Sequence, residues 1–301
     1  MPEFLSPDLQ ALRDRVAALA RDTLTGLRDD PQLALPVRMQ RVREASQAAG
    51  LYRLTQVRDT PALTMLVVRD TLASHGVGSL RGLFGEEAGV LEGVDEPLRS
   101  THLLPLLAGD KRTGFAFTEP ADATRPTWAR VDGGELVING RKSYVTGGVD
   151  ASFLAALVEV EGEGPAMVII DTDRPGVSIE RRFESLDGSR HAAFCFENVR
   201  VPRHHALGAP GQGRARALSR ISEVRRSLAA DCVGTAAWII ELVAESVRRP
   251  RRGGVAADSE RIRLRYGEMR IAAYAARSMV YRTARLTDAG HDTVNESIAA
   301  K

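Results

Sequence analysis

The apolar periodicity of this chain changes twice, and that change constrains the fold more than any single motif. In the first third, Leu9, Leu12, Val16 and Leu19 recur at helical spacing behind Ser6-Pro7, an N-cap followed by proline at the first helical position. A second helix is expected from Pro36 to a stop at Gly50. A third is expected from Thr60-Pro61 through Leu63, Leu66, Val67 and Leu72 to a stop at Gly76. The period then shortens. Leu136 and Ile138 and the runs 153–160, 166–170, 177–183 and 194–201 predict strands, and Asp132-Gly133-Gly134 predicts a turn. The last third returns to helix. Leu218, Ile221, Leu228, Cys232, Ala236, Ile239 and Val243 form an apolar stripe that Pro250 and Gly253-Gly254 interrupt. A second long helix is expected over 259–286, with Ile262, Met269, Ala273, Ala276 and Val280 turned inward. The expected fold is α+β: an N-terminal helical domain over 1–113, a central antiparallel β-barrel domain over 114–212, and a C-terminal helical domain over 213–301.

Bulk properties exclude several classes of function. The net charge is +2, so no global field favours nucleic acid or an anionic membrane. The two cysteines, Cys195 and Cys232, make no disulfide framework and no CxxC, which fits a reducing cytoplasm. The N-terminus has no basic stretch followed by an apolar one, so no signal peptide is expected. The apolar stretch 227–247 contains Asp231 and Glu241 and reads as too polar to span a bilayer. No metal-ligand spacing is present, and His204-His205 reads as a pair of surface histidines. Gly76-Val77-Gly78 follows a helix and reads as a helix stop. Arg248, Arg249, Arg251 and Arg252 surround a helix break; they suit phosphate groups or simply the negative end of the helix dipole.

Two stretches carry chemistry: Phe115-Ala116-Phe117-Thr118-Glu119-Pro120 and 138–148, Ile-Asn-Gly-Arg-Lys-Ser-Tyr-Val-Thr-Gly-Gly. Taken singly, Thr-Glu-Pro is a strand exit, Asn139-Gly140 a hairpin turn, and Tyr144 and the phenylalanines core residues. Taken together and in this order, with Phe196-Glu197-Asn198-Val199 and the 207–213 glycines behind them, they resemble the flavin-cradling segments of the acyl-CoA dehydrogenase family. The resemblance implies a flavoprotein of fatty acid metabolism that binds FAD and removes hydrogen from the α and β carbons of an acyl-CoA thioester. It implies electron-transfer flavoprotein as acceptor, and a homo- or hetero-oligomer. By motif, Phe115, Phe117, Thr118, Thr124, Tyr144 and Thr146 would meet the flavin, with Tyr144 in place of the usual tryptophan. Thr124, Ser222 and Arg225 would meet the CoA thioester arm. Arg249 would match an arginine that reaches a neighbouring subunit's FAD.

The pattern also departs from the family. In most members the catalytic glutamate follows helices that would lie beyond Lys301, so the C-terminal bundle is expected to be truncated. Other members carry it on the first C-terminal helix, at the position held here by Val224. Glu223 is adjacent but turned by about 100° around the axis, and is a candidate base only through a one-residue slip. The family's serine-threonine run after a glycine-arginine pair has become His191-Ala192-Ala193. Two further readings stand beside the dehydrogenase: a catalytically inactive member acting as a partner subunit, and a flavin-dependent monooxygenase on the same fold.

Overall fold

A computed structural model describes residues 4–57, 59–186, 188–248 and 259–301. It divides into two compact units, one formed by Met1–Gly85 with Ser222–Lys301 and the other by Glu86–Ile221.

The first unit is helical. Its N-terminal part holds α1 (Pro7–Leu19), α2 (Thr25–Asp29), α3 (Leu35–Ala48) and α4 (Ala62–Ser74), with a π-helical turn, Ala20–Leu24, joining the first two. Ser6 caps α1 by accepting from Leu9 N, as its sequence implies. Gly50 and Gly76 take positive φ (73° and 71°) just past α3 and α4. Val16, Ala20, Leu24, Val42, Val68 and Leu72 bury one core of this unit. Leu66 and Val67 form a second, which the later helices complete below.

The second unit is built on α5 (Leu104–Ala108) and one eight-stranded sheet. Its strands are β1 (Thr113–Ala116), β2 (Trp128–Asp132), β3 (Glu135–Thr146), β4 (Phe153–Val160), β5 (Gly164–Asp171), β6 (Val177–Glu184), β7 (Arg190–Pro202) and β8 (Ala206–Leu207). The order is β6-β7-β3-β2-β4-β5-β8, with β1 also paired to β4. The expected antiparallel barrel is therefore corrected on two counts. The ends of the path, β6 and β8, are not hydrogen-bonded to each other, so the sheet stays open. It is also mixed, because β1 and β2 both run parallel to β4. Strand spacing in the sequence records which face each residue takes, not which strand lies beside it, so neither closure nor direction could be read there.

The run 153–160 lacks strand alternation because β4 is covered on both sides. Leu154, Ala156, Val158 and Val160 enter one apolar cluster with Ile138, Val145, Phe194 and Phe196. Phe153 and Ala155 enter another with Leu91, Leu98, Leu106 and Ala217. Asn139-Gly140 is not a hairpin turn; it sits inside β3, at a register shift against β7. Gly140 has φ 138°, and a Cβ there would lie 2.6 Å from Thr127 Cα, so only glycine lets β3 approach that residue.

The last helices are α6 (Gly213–Arg248), α7 (Ser259–Asp288) and α8 (Val294–Ala300). Within the helical unit, Ala229, Ala230 and Val233 of α6 meet Leu66, Val67, Val280, Tyr281 and Ala284. The expected apolar stripe is only partly covered: Leu218, Leu228, Cys232 and Ile239 are exposed, while Ile221, Ala236 and Val243 are half-buried. The small residues beside them are buried instead, because alanines let α6 approach its neighbours closely. On α7, Val280 is buried and Ile262, Met269 and Ala273 are half-buried, but Ala276 is exposed. By length and composition alone α6 is long and apolar enough to cross a bilayer despite Asp231 and Glu241. In this fold Asp231 pairs with Arg69 of α4 at 3.1 Å, and the buried side of α6 packs within the helical unit.

Candidate functional site

The two motifs meet in the sheet unit through backbone and a buried ion pair. β1 ends at Ala116, and the chain leaves it through Phe117, Thr118, Glu119 and Pro120. Ser143 N of β3 donates to Thr118 O at 2.8 Å. Lys142, fully buried, donates from Nζ to Glu119 Oε1 (2.5 Å) and to Phe117 O (3.2 Å). Glu119 also accepts from Thr127 N (3.2 Å) and Thr127 Oγ1 (3.0 Å). Burial pushes the Lys142 ammonium down, and the Glu119 carboxylate opposes that shift. Because both partners keep further hydrogen bonds, the pair fixes the exit of β1 against β3 without leaving a bare charge.

β3 then breaks its pairing with β7. Lys142 faces Phe194 and Val145 faces Ala192, so Ser143 and Tyr144 together oppose Ala193: a β-bulge. Tyr144 takes φ 55°, a left-handed conformation that a bulky side chain rarely adopts. The bulge leaves Tyr144 62% exposed. It meets Phe183 edge-on at 5.5 Å, and Phe183 stacks on His191 at 5.3 Å with 12° between the planes. Thr146, exposed, lies opposite His191 in the register, and their Oγ1 and Nδ1 atoms are 3.2 Å apart.

The remaining expected site residues are distributed as follows. Phe115 and Phe117 stack on each other at 6.1 Å and are half-buried against the cluster around Phe153. Thr118 is exposed next to the strand exit, and Thr124 is exposed in the following loop. Ser222 (buried), Glu223 and Arg225 (both half-buried) belong to α6 in the helical unit. The Glu223 charge acts on Arg226 one turn later, whose guanidinium burial pushes down. Arg249, Arg251 and Arg252 lie outside the described residues, as do Pro250 and Gly253-Gly254.

Two clusters were not anticipated. His205 is buried, not a surface residue as expected; only His204 is exposed. His205 donates from Nδ1 to Ile169 O (2.8 Å), and its ring lies 5.5 Å from that of buried His102. His102 Nε2 bonds Asp171 Oδ1 at 2.8 Å, which holds that carboxyl at about 2. Burial pushes His205 down. The other is His191, whose ring touches Thr146 on one side and Ser185 and Ser189 on the other. Its replacement of a serine-threonine run was visible in the sequence, but only the strand register shows what it touches.

Comparison with known proteins places the family of this chain. Residues 114–199 match the model of the acyl-CoA dehydrogenase middle domain, and residues 211–301 that of the acyl-CoA dehydrogenase C-terminal domain. The probable acyl-CoA dehydrogenase YngJ of Bacillus subtilis is 31% identical over 222 residues, covering 68% of this chain and 57% of that protein. The chain spans about half the length of the curated relatives it matches. A probable acyl-CoA dehydrogenase from Mycobacterium abscessus shares the fold with a TM-score of 0.78, at 22% identity, over 98% of this chain and 84% of that one. An acyl-CoA dehydrogenase from Bacillus anthracis complexed with FAD does so with a TM-score of 0.75, at 22% identity, over 100% and 56%. Two matched domains in family order, carrying between them the strand exit, the Tyr144 bulge and the long α6, make this chain a member of the acyl-CoA dehydrogenase family of flavoproteins.

Proposed function

We propose that the chain binds FAD and serves the α,β-dehydrogenation of an acyl-CoA thioester. The observation that carries this reading is the Tyr144 bulge. A bulky residue is held in a costly backbone conformation whose visible result is an aromatic face open to solvent beside a hydroxyl. The donor set suits an isoalloxazine: Tyr144 offers a flat wall, and Thr146 and Thr118 offer exposed hydroxyls. When bound, FAD supplies the hydride chemistry. The chain's own residues hold and orient it, with Phe115 and Phe117 bracing β1 from the core side. Thr124, Ser222 and Arg225 are assigned to the thioester arm, and Arg249 to the pyrophosphate. The α-proton requires a carboxylate base, and Glu223 is the candidate on α6. Electron-transfer flavoprotein is the proposed acceptor and the cytoplasm the proposed compartment. Added FAD is expected to turn the purified protein yellow, and acyl-CoA to bleach it under anaerobic conditions. A protein that stays colourless with excess FAD overturns the reading.

A second reading, a non-catalytic partner subunit in an oligomer, is favoured by one observation. Val224, Leu228, Ile239 and Leu242 on α6 and Leu264, Ile271 and Tyr274 on α7 are 40% to 71% exposed. Flavin that binds but is not bleached by any acyl-CoA, in a protein that sediments as an oligomer, supports it over the first.

A further inference from the structure

We propose that His191 is a positioning residue that sets the direction of the Thr146 hydroxyl proton toward the flavin; the inference rests on FAD lying against Tyr144 and Thr146. Three strands place the parts in one row: Thr146 of β3 faces His191 of β7, which faces Phe183 of β6. The imidazole is held on one face and at both ring nitrogens. Phe183 stacks on its face, Thr146 Oγ1 lies 3.2 Å from Nδ1, and Ser185 Oγ and Ser189 Oγ lie 2.6 and 2.9 Å from Nε2.

A neutral imidazole has one N–H, and its position decides what Thr146 can offer. With the proton on Nε2, Nδ1 accepts the Thr146 proton, and the hydroxyl presents only lone pairs outward. With the proton on Nδ1, His191 donates to Thr146 Oγ1, and the hydroxyl proton is free to point at a ligand. A serine hydroxyl can then donate into the bare Nε2, so the second arrangement leaves no nitrogen unsatisfied. The carbonyl and imine edge of a flavin accepts hydrogen bonds, so it selects the Nδ1–H form. Reduction adds electron density to that edge, so a donor aimed there stabilises the reduced ring more than the oxidised one.

FAD titration and redox titration of four proteins test this: wild type, Thr146→Val, His191→Phe and the double variant. Phenylalanine keeps a ring on Phe183 but has no N–H; His191→Ala serves in the same cycle if the phenylalanine variant fails to fold by circular dichroism. His191→Phe is expected to weaken FAD binding by about tenfold, the worth of one oriented hydrogen bond, and to lower the flavin's reduction potential. In the Thr146→Val background it should add nothing, since both changes remove one interaction. Additive effects, or a His191→Phe protein with wild-type affinity and potential, overturn the inference while the flavin reading stands. A wild-type protein that binds no FAD overturns both.

Discussion

Tyr144 sits in a conformation that glycine or asparagine would adopt more easily, and it is more exposed than buried. The backbone strain is worth about 1 kcal/mol or more, and the edge contact with Phe183 offsets it by a similar amount. Tyr144→Gly is therefore expected to unfold in urea within about 1 kcal/mol of wild type, while losing FAD affinity. A loss of several kcal/mol would instead make the ring part of the core. Asp171 shows how a buried contact becomes a pH dependence. The hydrogen bond from His102 holds its carboxyl at about 2, below the ordinary 3.8. The stability it contributes is fully present above pH 3.8 and is lost as pH falls toward 2, amounting to about 2 kcal/mol. Asp171→Asn should flatten the change of urea midpoint over that window. His205 acts in a different range: burial depresses it below 6.5, so the stability of its neutral form is present above that pH and is lost as pH falls through it. None of this could be read from the sequence. His102, Asp171 and His205 are too far apart in the chain to form a motif. Lys142, although inside one, gives no sign that its ammonium is buried on Glu119.

At the scale of elements, the helices and strands were legible because their apolar spacing is regular, and their caps marked several ends. β4 and β6 fall on the expected runs, α1 begins at the expected cap, and α3 and α4 end close to the expected stops at Gly50 and Gly76. The sheet's openness and its parallel pairs were not legible, because pairing is a long-range property. The buried side of α6 was legible only in part for a related reason. Large apolar residues marked a stripe, but alanines and Gly234 make the close contact, where a Cβ on Gly234 would lie 2.5 Å from Asp70 O. One cap also comes from far along the chain. α4 begins after Pro61, which offers no side-chain acceptor, and Asp288 at the end of α7 accepts from Ala62 N (2.6 Å) and Leu63 N (3.0 Å). Asp288→Ala is expected to cost about 1 kcal/mol in denaturant unfolding, with little change in the sheet unit's flavin binding. An unchanged unfolding midpoint would mean that water replaces this cap.

At the scale of the whole molecule, each compact unit carries its own apolar cores, and the proposed flavin-facing residues other than Arg249 belong to the sheet unit. The burial of Lys142 has a practical consequence here. The chain's lysines are Lys111, Lys142 and Lys301, and the first and last are half-buried and exposed, respectively. An amine-reactive reagent should therefore mark Lys111 and Lys301 quickly and reach Lys142 only when the sheet unit opens. The rate of that third modification, read by mass spectrometry of proteolytic peptides, is a clock for the opening of this unit alone. Ligands that seat against the Tyr144 bulge should slow it without touching the other two.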